Sequence, residues 1–196
     1  MSRNVIIVDA YDSFVHILVN YFQAIGCIVN LYRKDDARLV QAVKESAGDI
    51  LLLGPGPGHP ADSGYGNLLS INAGRLPVLG VCLGHQAIGL HYGCQIEYAR
   101  YLMHGKASRI SHDGQGCFKS LSSDAFLAMR YHSIVISDEN LPGQIVVSAR
   151  SEDDGYVMGI RHTSLKVEGI QFHPESIGTD FGSHILQNFM DTYLHD

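Results

Sequence analysis

Two hydrophobic periodicities alternate along the first half of the chain. Val5-Ile6-Ile7-Val8 is an unbroken β-branched run, which predicts a short strand buried on both faces. Beyond it, Phe14, Ile17, Leu18, Tyr21, Phe22 and Ile25 recur at three- and four-residue spacing, predicting a helix that Asp12 or Ser13 caps and Gly26 stops. The alternation continues with a strand over 27–32, a helix over 36–44, a strand over 50–53, and a strand over 78–81 that runs into a helix over 85–92 ending at Gly93. Gly54-Pro55-Gly56-Pro57-Gly58-His59-Pro60 follows the third strand, and its prolines exclude any regular element. From about Ala99 short strands dominate, over 106–110, 126–131, 134–136, 145–149, 156–160 and 167–172. A closing helix over 182–193 carries Ile185, Leu186, Phe189, Met190 and Tyr193 inward. Strands alternating with helices predict an α/β fold with a parallel, doubly wound sheet, whose ligands gather beyond the carboxyl ends of its strands. The loops after the third and fourth strands lie at such ends.

Composition narrows the class. The 196 residues have the size of one domain, expected to span 1–196; 45% are hydrophobic and 17% charged, which excludes a disordered or fibrous chain. Fourteen basic against twenty acidic residues leave a net charge of −6, the wrong sign for holding nucleic acid through its phosphates. No run approaches the ~20 apolar residues of a membrane helix, and the N-terminal run is too short for a signal-peptide core. Cys27, Cys82, Cys94 and Cys117 form no CxxC pair, and the eleven histidines form no HxH or HExxH. The expectation is a cytoplasmic, reduced protein without a metal site.

Three segments carry candidate chemistry. Gly80-Val81-Cys82-Leu83-Gly84 lies where a strand meets a helix, the spacing of a nucleophile elbow. There the helix N-terminus would favour a thiolate, and the Leu83 N–H would point toward an oxyanion. A lone motif of this kind describes a buried structural cysteine equally well, so a second signal is needed. Gln171-Phe172-His173-Pro174-Glu175 supplies it. Pro174 holds His173 extended, and in an extended chain residues two apart share a side, so Glu175 can orient the imidazole as a base. In the 54–60 loop the glycines let backbone N–H groups approach a ligand while the prolines stiffen the links.

Together with Arg130-Tyr131-His132-Ser133 and Ser176, these segments resemble the class I glutamine amidotransferases. Asp9 with Tyr11-Asp12-Ser13-Phe14, Met103-His104-Gly105-Lys106 and His112-Asp113-Gly114 narrow the resemblance to the glutaminase component of anthranilate synthase and aminodeoxychorismate synthase. The resemblance implies a flavodoxin-like three-layer sandwich around a mostly parallel sheet, with a strand-rich C-terminal half. It implies Cys82 as nucleophile, His173 as base and then acid, and Glu175 as its orienter. Leu83 and the Gly56-Pro57-Gly58 backbone would stabilise the oxyanion, while Gln86, His132 and Ser133 would hold L-glutamine. Ammonia would pass to a chorismate-binding synthase subunit, for which 196 residues leave no room. Mg2+ would belong to that partner, and no cofactor to this chain. Asp12 to Phe14 and His104 to Lys106 are candidate contact surfaces. The regiochemistry, for tryptophan or for folate, is chosen in the partner. Other readings are a different class I amidotransferase subunit, a stand-alone γ-glutamyl hydrolase, or a noncatalytic docking subunit. Ala10, Leu90 and Gly178-Thr179-Asp180-Phe181 depart from the family's usual residues.

Overall fold

The structure, a computed structural model, describes residues 2–121 and 124–194. In chain order its elements are β1 (Asn4–Asp9), α1 (Val15–Ala24), β2 (Ile28–Arg33), α2 (Leu39–Lys44), β3 (Ile50–Leu53), α3 (Tyr65–Asn72), β4 (Val78–Val81), α4 (Leu83–His91) and β5 (Ile96–Tyr98). There follow β6 (Lys106–His112), β7 (Ala125–Arg130), β8 (Ile134–Ile136), β9 (Ile145–Ser151), β10 (Val157–His162), β11 (Val167–Ile170) and α5 (Gly182–Tyr193). Nine strands form one sheet in the order β2-β1-β3-β4-β11-β10-β9-β6-β7, and β5 pairs with β8 separately. The first five strands of that order run parallel. The remaining four extend the sheet antiparallel.

Side-chain alternation explains the two-sided burial. In β1 and β3, Val5, Ile7, Ile50 and Leu52 face Val15, Leu18 and Phe22 of α1 and Ile185, Leu186 and Phe189 of α5. Ile6, Val8, Leu51 and Leu53 face Leu39 and Val43 of α2, Leu68 and Leu69 of α3, and Ala87 and Ile88 of α4. All eight strand residues are fully buried, each contributing about 1.5–3 kcal/mol of transfer free energy. The expected three-layer α/β architecture is thus present, with the parallel strands at its centre and an antiparallel wing from the strand-rich half.

Several boundaries differ from the sequence expectation. α1 begins at Val15 without a side-chain cap. Asp12 instead accepts from the Phe14 N–H at 2.8 Å, closing a turn before the helix. Asp36 likewise engages Arg38 ahead of α2. α3 was not expected, because it opens at Gly64-Tyr65-Gly66-Asn67, a weak helix-forming stretch held by packing. Among the described residues no helix is long and apolar enough to cross a membrane.

Candidate active site

Strand order assembles the site. β4 lies between β3 and β11, all three parallel, so the loop after β3, the turn after β4 and the segment after β11 meet at one edge of the sheet. Cys82 occupies the middle turn with φ 52° and ψ −100°, a backbone region that L-residues rarely adopt. Two glycines make the turn possible. A Cβ on Gly80 would lie 2.5 Å from the Gly84 backbone, and one on Gly84 would strike the Leu53 carbonyl. Bulk at either position would collide with backbone.

After β11 the chain presents His173 and Glu175. Glu175 Oε1 lies 2.6 Å from His173 Nδ1, and both side chains are almost wholly buried, at 2% and 1% exposure, with Cys82 at 7%. Among the described residues His173 Nε2 has no hydrogen-bond partner. Burial alone would drain the imidazole of its proton; the facing Cys82 sulfur and the Glu175 carboxylate together hold its pKa well above the ordinary histidine value. The arrangement therefore favours a proton on the imidazole. The rings of Phe14 and Tyr131 pack on His173 at 5.6 and 5.1 Å, and His104 on Tyr131 at 5.9 Å, forming an aromatic rim.

The other expected residues fall into two groups. Leu83 opens α4, and Gly56 approaches it so closely that a Cβ there would sit 3.1 Å from the Leu83 side chain and clash with Ala10. The loop after β3 thus abuts the elbow at Gly56, while Pro57 and Gly58 are exposed beyond it. Tyr65, unremarked in the sequence, braces this junction by donating to the carbonyls of Val8 and Gly54 at 3.2 and 3.1 Å. Gln86 is buried, and its Nε2 donates to the Ile134 carbonyl at 3.0 Å and to Gln171 Oε1 at 2.9 Å, leaving its Oε1 for any ligand. His132 is buried and accepts from Arg130 Nε at 3.1 Å; burial and the nearby guanidinium lower its pKa to about 3. Ser133 is exposed, and its carbonyl accepts from the Ala99 N–H.

Arg130 is the largest fully buried side chain, and sequence reasoning assigned it no role. It donates to Ser108, Ser151, His132 and Asp154, the last a 2.8 Å ion pair. Its signal was legible: Phe126, Ala128 and Arg130 occupy the inward-facing alternate positions of β7, and a charge on a buried period demands partners. The departure at 178–181 also has a local explanation. Thr179 accepts from the Met129 N–H at 3.0 Å and donates to the His173 carbonyl at 2.7 Å, while Asp180 pairs with Leu127. The segment after His173 thereby covers the edge of β7, and Gly178 leaves room for Met129 Sδ. Ala10 is buried against Gly56, and Leu90 is half-buried in the last turn of α4.

The family described as "Glutamine amidotransferase class-I" matches residues 6–192. The chain is 41% identical over 191 residues to the aminodeoxychorismate/anthranilate synthase component 2 of Bacillus subtilis (strain 168), covering 96% of each chain. It is 43% identical over 191 residues to the aminodeoxychorismate synthase component 2 of Serratia marcescens, covering 95% and 98%. To the anthranilate synthase component 2 of Mycobacterium tuberculosis (strain CDC 1551 / Oshkosh) it is 42% identical over 189 residues, covering 95% and 81%. A crystal structure described as that of a putative GMP synthase subunit from Thermoplasma acidophilum superposes with a TM-score of 0.83 at 23% identity, covering 99% of this chain and 95% of that one, a likeness of fold.

Proposed function

Since the chain belongs to the class I glutamine amidotransferase family, we propose that it is the glutaminase component of a chorismate-using synthase, releasing ammonia from L-glutamine. The observation that carries this reading is the buried His173–Glu175 pair, 2.6 Å apart, facing a cysteine on a strained elbow.

In this reading the Cys82 thiolate attacks the side-chain amide carbon of glutamine. The oxyanion so formed is met by the Leu83 N–H at the start of α4 and by N–H groups of Gly56 and Gly58, with Pro57 stiffening the link between them, donors fixed before the charge develops. His173 delivers its proton to the departing nitrogen, ammonia leaves, and a γ-glutamyl thioester remains on Cys82. The now neutral imidazole takes a proton from water, whose oxygen attacks the thioester; glutamate departs and the thiolate is restored. Glu175 keeps the imidazole's Nδ1 side occupied, so that Nε2 does the proton transfer. Gln86 Oε1, His132 and Ser133 hold the amino-acid end of glutamine. The chain needs no cofactor for these steps, and Mg2+ belongs to the synthase.

The names of the relatives, each a component 2, support a synthase partner that receives the ammonia. So does the surface: Tyr98, Tyr101, Leu102 and Ile177 are large apolar side chains left exposed on segments joined to the site, the kind of patch that marks a protein interface. Relatives named for either product leave both anthranilate and aminodeoxychorismate within the proposal. We place the chain in the cytoplasm, in keeping with four separate buried thiols.

The test uses the complex with the synthase. Cys82→Ser is expected to abolish product formation from glutamine while leaving formation from added ammonia intact. Unchanged glutamine use in that variant would overturn the proposal.

A further inference from the structure

Beneath the Cys82 sulfur runs a row of hydrogen bonds whose polarity has one solution. The Ile134 carbonyl can only accept, so the Gln86 amide atom 3.0 Å from it is nitrogen. That same nitrogen lies 2.9 Å from the Gln171 amide, whose facing atom must accept and is therefore Oε1. The other Gln171 amide atom, 3.6 Å from Cys82 Sγ, is consequently Nε2, with a hydrogen to give. Gln171 is fully buried and Gln86 nearly so, so bulk water does not compete for these bonds.

We propose that Gln171 is a catalytic residue whose Nε2–H donates to the Cys82 sulfur and stabilises its thiolate, and that Gln86 is the positioning residue that keeps the donor side of that amide toward the sulfur. The inference rests on the reading of Cys82 as the nucleophile. A hydrogen bond to a thiolate is charge-assisted whereas one to a thiol is weak, so the contact favours the anion. His173 Nε2, without a hydrogen-bond partner among the described residues, remains for the proton transfers, which separates the two tasks: the amide stabilises charge and the imidazole moves protons. Among the described residues, His173 and Tyr65 are ionisable groups that interact with the sulfur, and neither is altered by the substitutions below. The helix α4 N-terminus adds a fixed partial charge.

The experiment measures the pH dependence of iodoacetamide alkylation at Cys82 in the full chain, read by mass spectrometry of the Cys82 peptide. Burial raises the pKa of Cys27, Cys94 and Cys117, which keeps them from competing. Gln171→Met retains bulk but loses the donor. Its alkylation rate below the wild-type midpoint is expected to fall about tenfold, with the midpoint moving up by about one pH unit. Gln86→Leu is expected to move the midpoint the same way, and the double variant no further than Gln171→Met alone. A wild-type profile in Gln171→Met overturns the inference, as does full additivity of the two substitutions. If Gln171→Met does not fold, the Gln86→Leu profile decides by the same criterion. A diazoketone analogue of glutamine applied to the wild type separates the two claims. Failure to label Cys82 overturns the nucleophile itself, whereas labelling together with an unmoved profile overturns only the role of Gln171.

Discussion

His85 lies wholly inside the protein where α4 crosses β11, so close that a Cβ on Gly169 would sit 2.9 Å from its Nδ1. Burial lowers its pKa from the ordinary 6.5 to about 3. Because the folded value is depressed, the unfolded chain takes up the proton first, and stability is lost as pH falls from about 6.5 toward 3. The loss from this one group amounts to about 2 kcal/mol between pH 7 and pH 5. His132 behaves in the same sense, with a pKa also about 3, and His173, whose pKa is raised, acts in the opposite one. Both remain in His85→Gln, so that variant is expected to show a urea midpoint less dependent on pH over this window than the wild type. Equal pH dependence in the two proteins would contradict the assignment. Residue identities in the motifs were enough to single out Cys82, His173 and Glu175. They could not say that Gln171 faces the sulfur or that Arg130 holds His132, because those contacts depend on how distant strands and helices meet.

At the scale of elements, the elbow depends on α4 pressing against the ends of β3 and β4. A methyl group at Gly84 would have to occupy the space of the Leu53 carbonyl oxygen, which belongs to the sheet backbone and cannot swing away. Gly84→Ala is expected to cost about 3 kcal/mol or more, as severe overpacking does, and to leave little folded protein in a thermal melt. A melt like that of the wild type would show that the helix can move off the strand. Apart from the three-residue β5, which is too short to show a pattern, the strands and the closing helix were legible because their alternation or spacing persists across whole elements. α3 escaped notice because tertiary packing, with Tyr65 donating to Val8 and Gly54, holds a stretch of low helix propensity.

At the scale of the molecule, the five parallel strands position Cys82, His173 and Glu175, and the antiparallel wing carries the Arg130 network and the covered edge of β7. Ile177, two residues beyond Glu175, is fully exposed, an apolar side chain with nothing to gain from water. Ile177→Asp is expected to weaken association with the proposed synthase partner at least about tenfold, the effect of losing ~1.4 kcal/mol of contact, while the isolated chain keeps its melting temperature. Unchanged association, measured by titration calorimetry or co-elution, would remove Ile177 from the interface. Hydrophobic period and glycine placement, both local properties of the chain, sufficed for the layered α/β architecture and for a cysteine on an elbow, and the extended spacing that Pro174 sets sufficed to place His173 beside Glu175. The strand order was beyond them, since pairing is set by which apolar faces bury together across long separations in sequence. That order puts β4 between β3 and β11, and only this adjacency brings Gly56, Cys82, Gln171 and His173 to one edge of the sheet.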